Sequence, residues 1–211
     1  METKVGLVDY GMGNLFSVQK AFERLNQPLI LIQSPKDFIN CEALILPGVG
    51  AFDPAMQRLE QKGMIPFLKA WKKEKKPLLG ICLGLQLLFE TSDEGELKGL
   101  GLIKGHIHRL PRNEKDRIPH MGWAVIKQKE FCPLINWDAN SNWVYFVHSF
   151  AAQPSIKKTQ AATTTFGDID ITAIIWKERL GACQFHPEKS GETGERMLNN
   201  WLKWIKNGAP I

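Results

Sequence analysis

Residues 77–89 read "PLLGICLGLQLLF". The apolar run to Ile81 has the length of a buried strand, and it enters a helix-compatible stretch through Glu90 with no loop between. At the junction one cysteine, Cys82, is bracketed by Gly80 and Gly84. Strand, G-x-C-x-G, helix is the thiol form of the nucleophile elbow. Backbone at such a nucleophile is strained, and side chains on its neighbours collide in so tight a turn, which gives both glycines a task. Cys82 then sits at a helix N-terminus, whose field favours an anionic sulfur. The amide of Leu83 faces the same way and can donate to a developing oxyanion. A buried cysteine in a packed strand-to-helix turn fits the same letters, so the motif needs a partner elsewhere in the chain.

Outward from the elbow, the first half alternates strand and helix. "VGLVDY" (5–10), "LILI" (29–32) and "ALILPG" (43–48) are short apolar runs, and an amphipathic stretch after the first ends at Leu25. Asp53-Pro54 supplies an N-cap and a proline at the first helical position. Short buried strands separated by helices predict a parallel sheet covered on both faces. The second half reads differently. "GHIHRL", "WAVIK", "WVYFVHSF", "TQAATTTF", "ITAIIW" and "LGACQF" follow closely, a pattern of strands and hairpins. Met197, Leu198, Trp201, Leu202 and Ile205 share one face of a closing helix. The expectation is one α/β domain over residues 1–211, a mostly parallel sheet flanked by helices, with antiparallel strands added in the second half.

A compact chain of 211 residues buries roughly 70–75% of its unfolded surface, so its core needs neither disulfide nor structural metal. Cysteines 41, 82, 132 and 183 lack paired spacing, which predicts free thiols in a reducing, cytoplasmic setting. The start "METKVGLVDYGMGN" lacks the basic flank and apolar stretch of a signal peptide, and no segment approaches the ~18 apolar residues of a membrane span. Net charge is +5. The densest basic run, "KAWKKEKK" (69–76), reads as the polar end of a helix stopping before Pro77, not as a nucleic-acid groove.

The partner stands near the other end, in "CQFHPEKSG". In extended backbone, residues two apart lie on one face, and Pro187 biases His186 toward that region. Glu188 can therefore reach the imidazole, hold its tautomer and stabilise its charged form, the role of a third triad member. An exposed loop with an incidental ion pair is the bland alternative. Of five histidines, only this one has an acidic residue at matching spacing after a strand.

The chain resembles the class I glutamine amidotransferases, and within them the glutaminase subunits of imidazole glycerol phosphate synthases. "VDYGMGN", "LPGVGAF", "KPLLGICLGLQLLFE", "GLGLIKG", "IPHMGW", "YFVHSF" and "QFHPEKSG" carry the likeness from end to end. The resemblance implies a flavodoxin-like glutaminase domain without metal or cofactor. It implies that Cys82 attacks the side-chain amide of free glutamine and that His186 serves as acid and then base, oriented by Glu188. Gln86 would line the glutamine pocket and Glu94 receive the α-ammonium. The second oxyanion donor is expected from Val49 or Gly50 in "PGVG", at the sheet edge where α/β sites gather.

Ammonia is useful as a nucleophile only while neutral. The resemblance accordingly implies a docked cyclase (HisF-type) subunit, a (β/α)₈ barrel that takes ammonia through a dry passage. "DYGMGN" with Asn14, then Met121, Trp123 and Lys189, are the expected docking elements. Two positions depart from the family pattern, Phe16 where arginine is usual and Ala124 where asparagine is usual. A paralogous glutaminase feeding a surface-sugar amidating synthase, a catalytically silent scaffolding subunit and a cysteine peptidase are the rival readings.

Overall fold

Four apolar tetrads build the parallel half of the sheet: β1 (Val5–Val8), β2 (Leu29–Ile32), β3 (Ala43–Leu46) and β4 (Leu78–Ile81). β1, β3 and β4 are buried at every position, as strands covered on both faces must be. The computed structural model describes residues 3–112, 114–115, 117–135 and 142–211. Between and after these strands come α1 (Leu15–Arg24), α2 (Phe52–Gln61), α3 (Ile65–Lys73) and α4 (Leu83–Leu87). The chain continues through β5 (Thr91–Ser92), β6 (Gly105–Arg109), β7 (His120–Gln128), β8 (Trp143–His148) and β9 (Phe150–Pro154). It ends with β10 (Gln160–Phe166), β11 (Ile169–Lys177), β12 (Leu180–Cys183) and α5 (Gly191–Lys206).

Nine strands form one sheet in the order β2-β1-β3-β4-β12-β11-β10-β7-β8, and β5-β6-β9 form a second. The α/β expectation holds, with a refinement. β12 lies parallel to β4, Leu180 opposite Leu78, and antiparallel only to β11. The last strand is thus inserted beside the elbow strand, which delivers residues 184–188 to Cys82. The stretch "WVYFVHSF", read as one strand, divides at Ser149: β8 pairs with β7 in the large sheet, and β9 pairs with β6 in the small one.

Both sheet faces are covered. On one, Phe22 of α1 meets Trp201 of α5 edge to face, and Met197, Leu198, Leu202 and Ile205 are buried as their spacing predicts. On the other, α2 and α3 bury Phe52, Met56, Leu59, Leu68 and Trp71. No helix among the described residues is long and apolar enough to cross a membrane.

Two helix boundaries differ from expectation. α2 starts at Phe52, so Asp53 lies inside its first turn and does not cap it. The orphan amide of Phe52 donates instead to Glu94 Oε2 at 2.9 Å, and the Asp53 carboxylate accepts the amides of Glu96 and Leu97. The acidic side chain serves the neighbouring loop because a partner from outside satisfies the helix end. The elbow helix stops at Leu87, short of Glu90. Its last apolar residues turn inward with the loop that leads to β5, where Leu87, Leu88 and Phe89 are fully buried.

Candidate active site

Cys82 adopts φ 54° and ψ −111° at the N-terminus of α4, a left-handed backbone that costs a non-glycine residue about 1–3 kcal/mol. Its surroundings hold it there. The Cys82 amide donates to Cys183 O at 2.8 Å, and its carbonyl accepts Leu85 N–H at 3.0 Å. A Cβ on Gly84 would stand 1.8 Å from Leu46 O, so only glycine lets α4 cross the end of β3 this closely. Gly80 is less extreme, with its nearest clash at 3.1 Å. The glycines flanking the cysteine therefore do the work expected of them, Gly84 above all.

His186 follows β12 and donates through its backbone amide to Tyr145 O at 2.9 Å. Its Nδ1 is 2.7 Å from Glu188 Oε1, and the two side chains are 3% and 1% exposed. Extended spacing is not what joins them. His186 itself is extended, but Pro187–Lys189 form a 3₁₀ turn that folds Glu188 back beneath the ring. Ser190 ties the turn in place, since its hydroxyl donates to His186 O and accepts the amide of Tyr145. Glu188 Oε2 is buried without a hydrogen-bond partner among the described residues, so the carboxylate is devoted to His186. Burial opposes the imidazolium, yet the nearby Cys82 sulfur and the hydrogen-bonded Glu188 carboxylate outweigh it, raising the His186 pKa to about 10.

Cys82 and His186 line a cavity of about 280 Å³. Val49, Gly50, Leu83, Gln86 and Glu94 line it too; Glu188 stands behind His186. The amide of Leu83 donates to no acceptor among the described residues and is available to a ligand. The 47–50 turn is braced by Tyr10, whose buried phenol donates to Pro47 O at 2.9 Å. Burial, and then the nearby Cys82, push that phenol's pKa well above its ordinary value. Gln86 is buried, not a surface amide: its Nε2 donates to Phe150 O at 3.2 Å and to Gln184 Oε1 at 3.3 Å. Burial first, and Asp53 after it, push the Glu94 carboxyl up against the opposing Phe52 amide.

Two residues of the site escaped the sequence reading. His148 lines the cavity at the junction of β8 and β9. Its Nδ1 bonds Phe150 O at 2.8 Å, and its Nε2 faces His120 Nδ1 at 3.1 Å. Burial drives its pKa down to about 3, with His120 and His186 adding to the effect, so the ring is neutral. Gln184, fully buried, links Gln86 to Cys82, its Nε2 4.0 Å from Cys82 Sγ. Neither carries a local signal beyond membership of "YFVHSF" and "QFHPEKSG".

The expected docking residues lie outside the cavity. Met121 and Trp123 project from β7 and are 62% and 52% exposed, which sets aside a core role for Trp123. Trp123 meets Tyr145 edge to face. Lys189 is exposed on the turn after Glu188. Asn14 has a local duty as well, since its side chain caps α1 by accepting Ser17 N–H at 3.2 Å.

Comparison with known proteins places the chain in a family. The chain matches the family described as "Glutamine amidotransferase class-I" over residues 6–204. It is 60% identical over 209 residues to "Imidazole glycerol phosphate synthase subunit HisH 2" of Prochlorococcus marinus (strain MIT 9313), covering 99% of this chain and 98% of that one. It is 58% identical over 205 residues to the HisH subunit of strain MIT 9211, covering 97% and 96%. The structure of PurLQS from Thermotoga maritima superposes with a TM-score of 0.75 over 97% of this chain and 100% of that one, at 18% identity, a likeness of fold. The chain belongs to the class-I glutamine amidotransferases and, within them, to the HisH subunits of imidazole glycerol phosphate synthase.

Proposed function

We propose that this chain is a glutaminase that hydrolyses glutamine to glutamate and ammonia and passes the ammonia to a cyclase subunit in histidine biosynthesis. The observation that carries the reading is the buried His186–Glu188 pair, with His186 and Cys82 lining the same small cavity. Sulfur attacks the side-chain carbonyl carbon of glutamine. The oxyanion that forms is met by the Leu83 amide and by one from the Val49–Gly50 peptide. Imidazolium gives its proton to the departing nitrogen, ammonia leaves and a glutamyl thioester remains. Neutral His186 then takes a proton from water, hydroxide attacks the thioester, and glutamate departs as the thiol is restored. Gln86 and the Glu94 carboxylate hold the substrate's amino-acid end. The cavity's modest size favours free glutamine over the extended substrate of a peptidase.

A cyclase (HisF-type) partner in the cytoplasm is the acceptor this reading requires. Exposed Met121 and Trp123 suit an interface core, and exposed Lys189 and Phe16 lie on the 187–189 turn and on α1, two elements that pack together. The test mixes the purified chain with a cyclase of histidine synthesis or with a surface-sugar amidating synthase, and follows glutamate and product together. Glutamine-dependent imidazole glycerol phosphate formation, lost in Cys82→Ala but restored by added ammonia, is expected. Stimulation by the sugar enzyme alone would overturn the choice of acceptor. Trp123→Ala should weaken docking by about 2 kcal/mol or more if this aromatic anchors the interface.

A further inference from the structure

Away from the cavity, His106 and His108 stand two residues apart on β6 and so project from one face of the strand. Their ring centroids are 4.4 Å apart. β5 runs parallel to β6 with Thr91 opposite His106, and Asp93 follows directly, its amide donating to Ile107 O at 2.8 Å. The Asp93 carboxylate serves both rings: Oδ1 is 2.6 Å from His106 Nε2, and Oδ2 is 3.5 Å from His108 Nδ1. One ligand atom from each residue lies within 4.8 Å of the other two.

Two features exceed what an ordinary surface ion pair needs. The ligand groups already have outer partners. Thr91 Oγ1 is 2.7 Å from His106 Nδ1, and the Arg109 amide donates to Asp93 Oδ2 at 2.9 Å. That amide first, and His106 after it, hold the Asp93 carboxyl below the usual range. An oxygen that takes the second ring N–H is what orients a metal-binding histidine. The consequence is electrostatic. In the tautomer that gives its Nδ1 proton to Thr91 Oγ1, His106 turns the Nε2 lone pair toward a carboxylate oxygen. In that tautomer Nε2 and the carboxylate oxygen are both acceptors, which a cation can bridge.

We propose that Asp93, His106 and His108 form a surface site for a divalent transition metal of the zinc class, with one or more positions left open to water. Two imidazole nitrogens and one carboxylate oxygen are a donor set that zinc accepts. The side chains are 44%, 31% and 50% exposed, so the ion has access. Binding releases the proton that otherwise bridges His106 and Asp93. The ion joins β6 to the loop after β5, one residue before Glu94 enters the catalytic cavity.

The test uses the full chain carrying Cys82→Ser, which removes the catalytic thiol as a competing ligand. Zinc binding is measured by calorimetry, and cobalt(II) binding by visible absorption. One equivalent is expected, with a cobalt spectrum free of sulfur charge transfer. His106→Ala with His108→Ala should weaken binding at least tenfold. Thr91→Val should weaken it about 10–100-fold, the usual effect of losing an outer partner, with Thr91→Ser restoring it. Unchanged affinity in the histidine variant, or no binding at millimolar metal, would overturn the proposal. If circular dichroism shows that the double variant fails to fold, Asp93→Asn and His108→Gln are read by the same criteria.

Discussion

His186 Nδ1 lies 2.7 Å from Glu188 Oε1, and the side-chain atoms of both residues are almost wholly removed from water. The carboxylate thus supports the charged imidazole without competition from solvent. Glu188→Gln keeps an acceptor for the Nδ1 proton and loses the charge. It should retain about 10–100 times the turnover of Cys82→Ala, the margin by which the third member of a triad is the milder loss. With the His186 pKa raised to about 10, kcat/KM should decline as pH rises through that value. The same substitution removes one cause of the elevation, so the alkaline limb should move to lower pH. A pH–rate profile of both proteins decides this.

His148 is buried with its pKa lowered to about 3. The unfolded chain binds a proton at this residue below about pH 6.5, and the folded chain does not until near pH 3. Lowering the pH through that window should therefore cost stability, because the unfolded chain takes up a proton there that the folded chain does not. His186 acts with the opposite sign: its contribution is complete below about pH 6.5 and fades as pH rises through about 10. Urea unfolding at stepped pH should show a shallower acid limb in His148→Gln. An unaltered limb would mean that other groups govern acid unfolding.

Of the four cysteines, only Cys82 lines the cavity. Burial pushes Cys41 and Cys132 up to about 11 and Cys183 well above its ordinary value. A glutamine-shaped electrophile should label Cys82 first, and free glutamine should slow the reaction. Peptide mass spectrometry locates the adduct. Equal labelling of a second cysteine would remove the basis for a selective pocket.

Gly84→Ala places a methyl group 1.8 Å from Leu46 O. Backbone cannot yield as a flexible side chain does, so the cost should reach about 3 kcal/mol or more. Thermal unfolding measures it. Gly101→Ala, at a positive φ but with no atom within 4 Å of the added carbon, serves as the control and should lose much less.

The elbow was legible because strand, turn and helix are local and each has its own residue chemistry. The His186–Glu188 pair was legible for a less secure reason. Extended backbone would bring residues two apart to one face, whereas a 3₁₀ turn supplies the contact. The parallel seat of β12 beside β4 was not legible, since nothing within "LGAC" tells which neighbour a buried strand will take. His148 and Gln184 were missed on similar grounds: His148 reaches the cavity through the division of one apparent strand at Ser149, and Gln184 touches its wall through side-chain contacts with Gln86 and Cys82. Helix ends moved where a partner from another part of the chain did the capping, as Glu94 does for Phe52.

β8 is the last strand of the large sheet, and an unpaired strand edge is a template on which another chain can add a strand. Here Tyr145 offers that edge nothing, because its carbonyl is taken by the His186 amide and its N–H by the Ser190 hydroxyl. The turn that carries His186 therefore also withholds this part of the edge from a second chain. A lesion that loosened residues 186–190 would show itself twice, as lost glutamine turnover and as a gain in self-association.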